Sequence, residues 1–170
     1  MSGIVGTLII LISVMLQTAV ISRLPLLNGI ADLVLLVLTA WILQDETKRL
    51  WIWALLAGGM VAVVSGLPWV VPLVGYFGVG FIVWLLKKRV WQTPIMALFI
   101  TIFAGTILIH GLSLGSLFVE GTFIPIEDGL TLVTLPSTLL NLLLAIPVYV
   151  IIRDLSGWVH HAGKACGNDG

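Results

Sequence analysis

Two apolar runs, each long enough to cross a membrane, end on the same block of positive charge, Lys87-Lys88-Arg89. A cation at the centre of a bilayer costs about 2.5–3.5 kcal/mol on insertion scales, so three adjacent cations must lie in water or among lipid headgroups. Because cytoplasmic loops of membrane proteins are rich in Lys and Arg, this block indicates the cytoplasmic side. It therefore constrains the orientation of every segment before and after it.

The rest of the chain carries too little charge to cover a soluble globule. Only 9% of its 170 residues are charged and 59% are hydrophobic, with a mean hydropathy of +1.18. Soluble domains commonly contain about a quarter charged residues, so the composition is typical of a membrane protein with several spans. Eight basic residues balance eight acidic ones, and nothing predicts binding to nucleic acid. The single cysteine, Cys166, excludes a disulfide within the chain.

Turn residues and charges divide the apolar sequence into six predicted transmembrane helices. They cover about residues 4–21, 30–44, 50–67, 69–86, 91–115 and 132–152. The second is short for a span, which needs about 20 residues. The fifth stays apolar to Val119, so we expect tilt, a break near residues 111–115, or an emergent outer turn. We predict one all-α domain, residues 1–158, that forms a single six-helix bundle, followed by a flexible cytoplasmic tail, residues 159–170.

The distribution of cations predicts that both termini are cytoplasmic. With six spans and the basic block inside, Arg23 is the one basic residue in an outer loop. The inner loops and the tail contain the others, which are Lys48, Arg49, Lys87, Lys88, Arg89, Arg153 and Lys164. This bias satisfies the positive-inside rule. An acidic connection, residues 120–128, then lies on the outer side.

Few polar side chains interrupt the spans, and these are the candidates for function. Gln17, Asp32 and His110 fall in the outer half of the predicted membrane region, where an ionisable group is a functional candidate. Two structural alternatives remain open: Asp32 caps the first turn of its helix, and the His110 ring reaches the interface. Asn141 lies near the middle of the last span, where we expect it to form hydrogen bonds between helices.

The sequence predicts no enzyme and no cofactor or metal site. Ser65, Ser113 and Ser137 have no His and Asp companions at triad spacing. The His160-His161 pair has no further ligand at metal-binding spacing. The spans are too apolar to line a channel, and they show no clear internal repeat of the kind found in transporters.

Several short stretches resemble the rod shape-determining protein MreD family. Residues 16–36 contain LQTAV, LPLLNG and ADLVLL, which are similar to the family's opening: a Leu-Gln pair ends the first helix and a Pro-Asp-Leu starts the second. Ala31 stands where the family often has Pro. Residues 65–68 (SGLP) fall at a family turn, and Asn141 fits the Asn-x-Leu pattern of its last helix. The acid of the family's Gly-Leu-x-x-Asp stretch is absent from residues 58–63.

The resemblance implies a non-catalytic scaffold subunit of the bacterial cell-wall elongation complex. Such a subunit is a multi-pass protein of the inner membrane that helps to maintain cell shape. MreC is the first expected partner. The RodA glycosyltransferase, its class B penicillin-binding protein and the actin-like MreB are further ones. The glycines of the fourth and fifth spans permit close packing of helices within the bundle. As scaffold positions, Gly75, Gly78, Gly105 and Gly111 are where we expect a partner helix to pack in lipid-facing grooves.

A second function remains open, because MreD-like proteins resemble in fold the S subunits of energy-coupling-factor vitamin transporters. The alternative is therefore a small-molecule-binding S-type subunit with an outward-facing pocket near Gln17, Asp32 and His110. Under the two readings together, the candidate contacts for a partner or a ligand are Gln17, Asp32, Gly75, Gly78, His110, Gly111 and Asn141.

Overall fold

The computed structural model of the chain describes residues 2–19, 29–44, 50–89, 94–122 and 125–165. These residues contain six main helices: α1 (Ser2–Ala19), α2 (Leu33–Leu43), α3 (Leu50–Val64), α4 (Val70–Arg89), α5 (Pro94–Val119) and α6 (Leu135–Ala165). A single helical turn, Ile126–Asp128, and a π-helical segment, Gly129–Thr134, precede α6. The prediction of an all-α protein is confirmed for the part of the chain that is described.

Three helices are long and apolar enough to cross a membrane. They contain the stretches Val70–Lys88, Pro94–Val119 and Gly129–Trp158. The other apolar helical stretches, Val5–Ala19, Leu33–Leu43 and Leu50–Val64, are shorter. The three long helices are consistent with a membrane protein. α2 has 11 residues and rises only about 16 Å at 1.5 Å per residue, which is about half of a 30 Å hydrocarbon core.

α5 is longer than the fifth span predicted from the sequence. It continues without a break through Gly111 and Gly115 and ends at Val119. A glycine costs only about 1 kcal/mol relative to alanine in a helix, which is too little to interrupt a helix of 26 residues. The helix instead stops at Gly121, whose φ is 84°. The Thr122 N–H donates to the Leu117 carbonyl at 2.9 Å, so the end is a Schellman cap.

The last helix extends beyond the predicted span at both ends. The π-helical segment leads directly into α6, because the Leu135 N–H donates to the carbonyl of Leu130, five residues earlier. α6 contains Pro147 and continues to Ala165. The predicted tail is therefore helical as far as it is described, and residues 166–170 lie outside the described residues.

α2 forms the centre of the bundle and packs against each of the other five helices. Every residue from Val34 to Leu43 is buried, which is the arrangement expected for a helix that is apolar on all faces. At its C-terminal end the rings of Trp41 and Trp53 meet edge to face, with centroids 5.6 Å apart. Beyond that end Lys87 of α4 donates to the Gln44 carbonyl at 2.8 Å. The C-terminal end of α2 is consequently held by contacts with α3 and α4.

Two glycines that we predicted in a lipid-facing groove lie inside the bundle instead. A Cβ atom added to Gly78 would lie 2.6 Å from Cδ2 of Leu108, and one added to Gly75 would lie 3.1 Å from Cγ1 of Ile109. Leu108 and Ile109 both belong to α5, so the two glycines allow α4 and α5 to approach each other closely. The prediction that Gly75 and Gly78 are open to a partner helix is therefore wrong.

The two glycines considered on α5 lie in different surroundings. A Cβ atom at Gly105 would lie 3.0 Å from Cγ2 of Val79 and 3.1 Å from Cδ1 of Leu35. Gly105 is thus a packing residue between α5, α4 and α2. The prediction of a partner groove at Gly105 is therefore also wrong. Gly111 is exposed, and nothing lies within 4 Å of a Cβ atom built on it; the same holds for Gly115.

Candidate functional site

The chain enters α2 through a non-helical stretch, residues 29–32, that lies against α6. Gly29 is buried, and a Cβ atom there would lie 2.7 Å from both the backbone nitrogen of Ser137 and Cβ of Pro136. Only a residue without a side chain fits so close to another backbone. Irregular backbone in an apolar bundle needs partners for its N–H groups, since a buried N–H group without a partner is costly.

Side chains of α6 bind two of these N–H groups. The Ile30 N–H donates to Oγ of Ser137 at 3.0 Å, and the Asp32 N–H donates to Oδ1 of Asn141 at 2.8 Å. Ser137 and Asn141 lie one helical turn apart on α6, and both are fully buried. Two side chains one turn apart on the same face of α6 therefore fix the backbone that leads into α2.

The first turn of α2 is capped by two other side chains. Asp32 is the N-cap residue, and its Oδ1 accepts a hydrogen bond from the Leu35 N–H at 2.9 Å. The Val34 N–H donates to Oε1 of Gln17 on α1 at 3.1 Å. These are N–H groups that a helix cannot satisfy within itself. Of the two interpretations of Asp32 left open by the sequence, the structure shows the capping one.

Tyr76 of α4 closes the network from the opposite side. Its hydroxyl lies 2.8 Å from Oδ2 and 2.9 Å from Oδ1 of Asp32 and donates to this carboxyl group. Only 2% of Tyr76 is exposed. The sequence reasoning missed this residue, although a tyrosine within an apolar helix is itself a signal, because a buried phenolic hydroxyl needs a hydrogen-bond partner.

Asn141 extends the network to α5. Its Nδ2 donates to Oγ1 of Thr106 at 3.0 Å, and that hydroxyl donates in turn to the Ile102 carbonyl at 2.7 Å. The hydrogen bonds between helices predicted for Asn141 are therefore confirmed. Thr106 and Ser137 were not identified from the sequence as members of the network, since Thr and Ser within helices commonly bond to their own backbone.

His110 lies apart from the network formed by Gln17, Asp32, Ser137 and Asn141. Its Nδ1 lies 3.2 Å from Oγ1 of Thr134, which donates its own hydrogen to the Gly129 carbonyl at 3.0 Å. Nδ1 and the Thr134 hydroxyl lie within hydrogen-bond distance, and the tautomer of the ring decides which of them donates. Among the described residues no hydrogen bond joins His110 to Asp32 or Gln17. The structure thus brings together two of the three residues predicted to form a pocket and uses the third to connect α5 to the π-helical segment.

A small cavity lies beside Gln17, between α1, the start of α2 and the end of α3. Its volume is about 230 Å³, and valine side chains form much of its wall, with Gln17, Thr18 and Ser65 as the polar members. Asp32 and His110 do not appear among its described lining residues. Cavities that hold small molecules usually measure about 300–1,000 Å³.

The polar network can fix a buried helix in place, but its groups are already engaged with one another. Asp32, Gln17 and Asn141 each accept from a backbone N–H at the start of α2. No group of three or more His, Cys, Asp or Glu residues able to hold a metal ion occurs within the described residues. No family model, curated protein or solved structure matches the chain.

Proposed function

We propose that this chain is a non-catalytic scaffold subunit of the bacterial inner membrane, which works by binding other membrane proteins. The observation that carries the proposal is the internal pairing of Gln17, Asp32 and Asn141 at the start of α2. In transporters with broken helices, the N-terminus of a half-helix binds an anionic substrate. Here Asp32 and Gln17 already occupy that position, and the outer surface of the bundle offers mainly apolar side chains.

The proposed complex is the rod system, with MreC as the direct partner. In this role the subunit helps to position or regulate the RodA glycosyltransferase and its class B penicillin-binding protein, together with MreB, and so maintains cell shape. The support comes from the residues that resemble the MreD family. Gln17 of the Leu-Gln pair, Asp32 of the Asp-Leu pair and Asn141 of the Asn-x-Leu pattern meet in the one network around α2.

The proposed topology has six crossings and cytoplasmic termini. It is supported by the cation distribution, in which Arg23 alone falls on the outer side. The unique Cys166 allows a direct test in intact cells with a maleimide that does not cross membranes. We expect no labelling until the membrane is permeabilised. A cysteine placed by Glu127→Cys in a Cys166→Ser background should be labelled from outside. Labelling of Cys166 in intact cells would contradict this topology.

We place the contact with the MreC helix on the exposed face of α5 around Gly111. Apart from the backbone of α5 itself and the adjoining residues, no described atom lies within 4 Å of a Cβ atom built on Gly111 or on Gly115, one turn away. Two small residues at this spacing allow close approach of a second helix. Of the four glycines predicted to contact a partner helix, Gly111 is thus the one that the other helices of the bundle leave uncovered.

Replacing Gly111 with leucine is expected to reduce the MreC recovered with the tagged protein about tenfold, the effect of losing about 1.4 kcal/mol of contact energy. The measurement is co-purification from membranes in which both proteins are expressed. Gly59→Leu on α3 is the matched control, because Gly59 also has nothing within 4 Å of its Cβ position. Equal recovery with both variants would contradict a partner contact at Gly111.

The S-type subunit remains the second candidate because of the cavity beside Gln17. A volume of about 230 Å³ is below the usual range for small-molecule sites, about 300–1,000 Å³. Its polar wall also lacks Asp32 and His110, the two ionisable residues on which the alternative depended. The scaffold proposal therefore explains the positions of more of the polar residues than the proposal of a vitamin-binding subunit does.

A further inference from the structure

An aromatic strip runs along the outer surface of α3 and α4. It consists of Trp51, Phe77, Phe81 and Trp84. The ring centroids of Trp51 and Phe77 are 4.9 Å apart, and Phe81 stacks on Trp84 at 5.7 Å with an interplanar angle of 27°. Phe77 and Phe81 are 42% and 46% exposed, whereas Trp51 and Trp84 are partly buried against the core, so the two phenylalanines form the exposed surface of the strip. Its outer surface is therefore available to an apolar ligand.

Lys88 lies at one end of the aromatic strip. Nζ of Lys88 lies 3.8 Å from the centroid of the Trp84 ring, and the Lys88 side chain is exposed. The ring face attracts the cation and fixes its position, while the ammonium group keeps N–H donors for a second partner. The adjacent Lys87 points elsewhere, since its Nζ donates to the Gln44 carbonyl at 2.8 Å. The two neighbouring lysines thus have different roles.

The length of the strip matches one leaflet of a bilayer. α4 rises about 16 Å between Phe77 and Lys88 at 1.5 Å per residue, and half of a hydrocarbon core is about 15 Å. Since three cations in sequence cannot lie in hydrocarbon, the Lys88 end of α4 must lie at the headgroup level. The aromatic rings then lie at the depth of the acyl chains.

We propose that the strip and Lys88 form a binding site for one anionic phospholipid. Its acyl chains lie along Phe77 and Phe81, and its phosphate binds the ammonium group of Lys88. Basic side chains near the cytoplasmic surface of a membrane attract anionic lipid headgroups. Two observations favour an anionic phospholipid as the occupant. The ammonium group of Lys88 complements the negative phosphate, and the strip is as long as one leaflet is thick. The site does not depend on the scaffold function, because it involves neither α5 nor a protein partner.

Native mass spectrometry of the full chain in a neutral detergent tests the proposal. The probes are phosphatidylglycerol and phosphatidylcholine with identical acyl chains. We expect tighter binding of phosphatidylglycerol, and an affinity about fivefold lower for Lys88→Gln, the effect of one basic residue near a lipid surface. Phe81→Ala should weaken the binding of both lipids, because it shortens the apolar part of the site.

Two variants with the same change of charge serve as controls. Lys87→Gln removes the neighbouring cation, and Arg153→Gln removes an exposed cation that pairs with Asp154 at 3.1 Å. Each should lower the affinity by less than about twofold, because Lys87 donates to the Gln44 carbonyl and Arg153 lies on α6, outside the strip. Equal losses for Lys87→Gln and Lys88→Gln would overturn the site, and so would equal affinity for the two lipids. Displacement of the lipid by inorganic phosphate alone would also overturn it, since the headgroup would then suffice.

Discussion

Replacing Asp32 with alanine is expected to lower the free energy of unfolding of the bundle by about 2–4 kcal/mol. Loss of the N-cap acceptor for the Leu35 N–H costs about 1 kcal/mol, and a buried Tyr76 hydroxyl without a partner costs about 1–3 kcal/mol. Asp32→Asn retains the Oδ1 acceptor and should lose much less. The measurement is equilibrium unfolding in detergent micelles, followed by the loss of helical circular dichroism.

The Tyr76→Phe variant separates this network from a simple loss of helix capping. In the wild-type background it removes the hydroxyl that donates to Asp32. In the Asp32→Ala background it removes a hydroxyl that has already lost its partner, so it should restore part of the lost stability. Losses that simply add in the double variant would show that Tyr76 and Asp32 act independently.

Features fixed by short-range chemistry were predictable from the sequence. An acid directly before an apolar helix predicts an N-cap, and Asp32 caps α2. An amide within an apolar helix must find a partner on another helix, and Asn141 binds both the Asp32 backbone and Thr106. In both cases the cost of an unsatisfied polar group leaves few alternatives, although for Asp32 the sequence left capping and a functional role both open.

Features that depend on which helix face meets which neighbour were not predictable. α4 and α5 are apolar around their whole circumference, so their sequences do not distinguish a face toward protein from a face toward lipid. For that reason Gly78 and Gly111 looked equivalent, although a Cβ atom added to Gly78 would lie 2.6 Å from Leu108 and one added to Gly111 would meet no neighbouring helix of the described chain within 4 Å. The pairing of Tyr76 with Asp32 is non-local in the same way, because the two residues are 44 positions apart in sequence.

Replacing Gly105 with leucine is expected to lower the free energy of unfolding by about 1–3 kcal/mol through overpacking. The first added carbon would already lie 3.0 Å from Val79 and 3.1 Å from Leu35. Both neighbours are 0% exposed, so they would have to shift within the packed core to admit the new side chain. Since Gly105 separates α5 from α2 and α4, three helices would have to shift. Thermal unfolding in detergent, followed by fluorescence-detected size exclusion, measures the change.

Replacing Gly111 with leucine should preserve the stability of the bundle, because no other described helix packs against that position. Leucine is a better helix former than glycine by about 0.5–1 kcal/mol, so the folded state should be as stable as before or slightly more so. If α5 contacts its own bundle at Gly105 and a partner at Gly111, then Gly105→Leu lowers the yield of folded protein while the folded fraction still binds MreC. Gly111→Leu preserves the fold and loses MreC. Loss of stability with Gly111→Leu would place that face inside the bundle, and the partner contact would then have to lie on another helix.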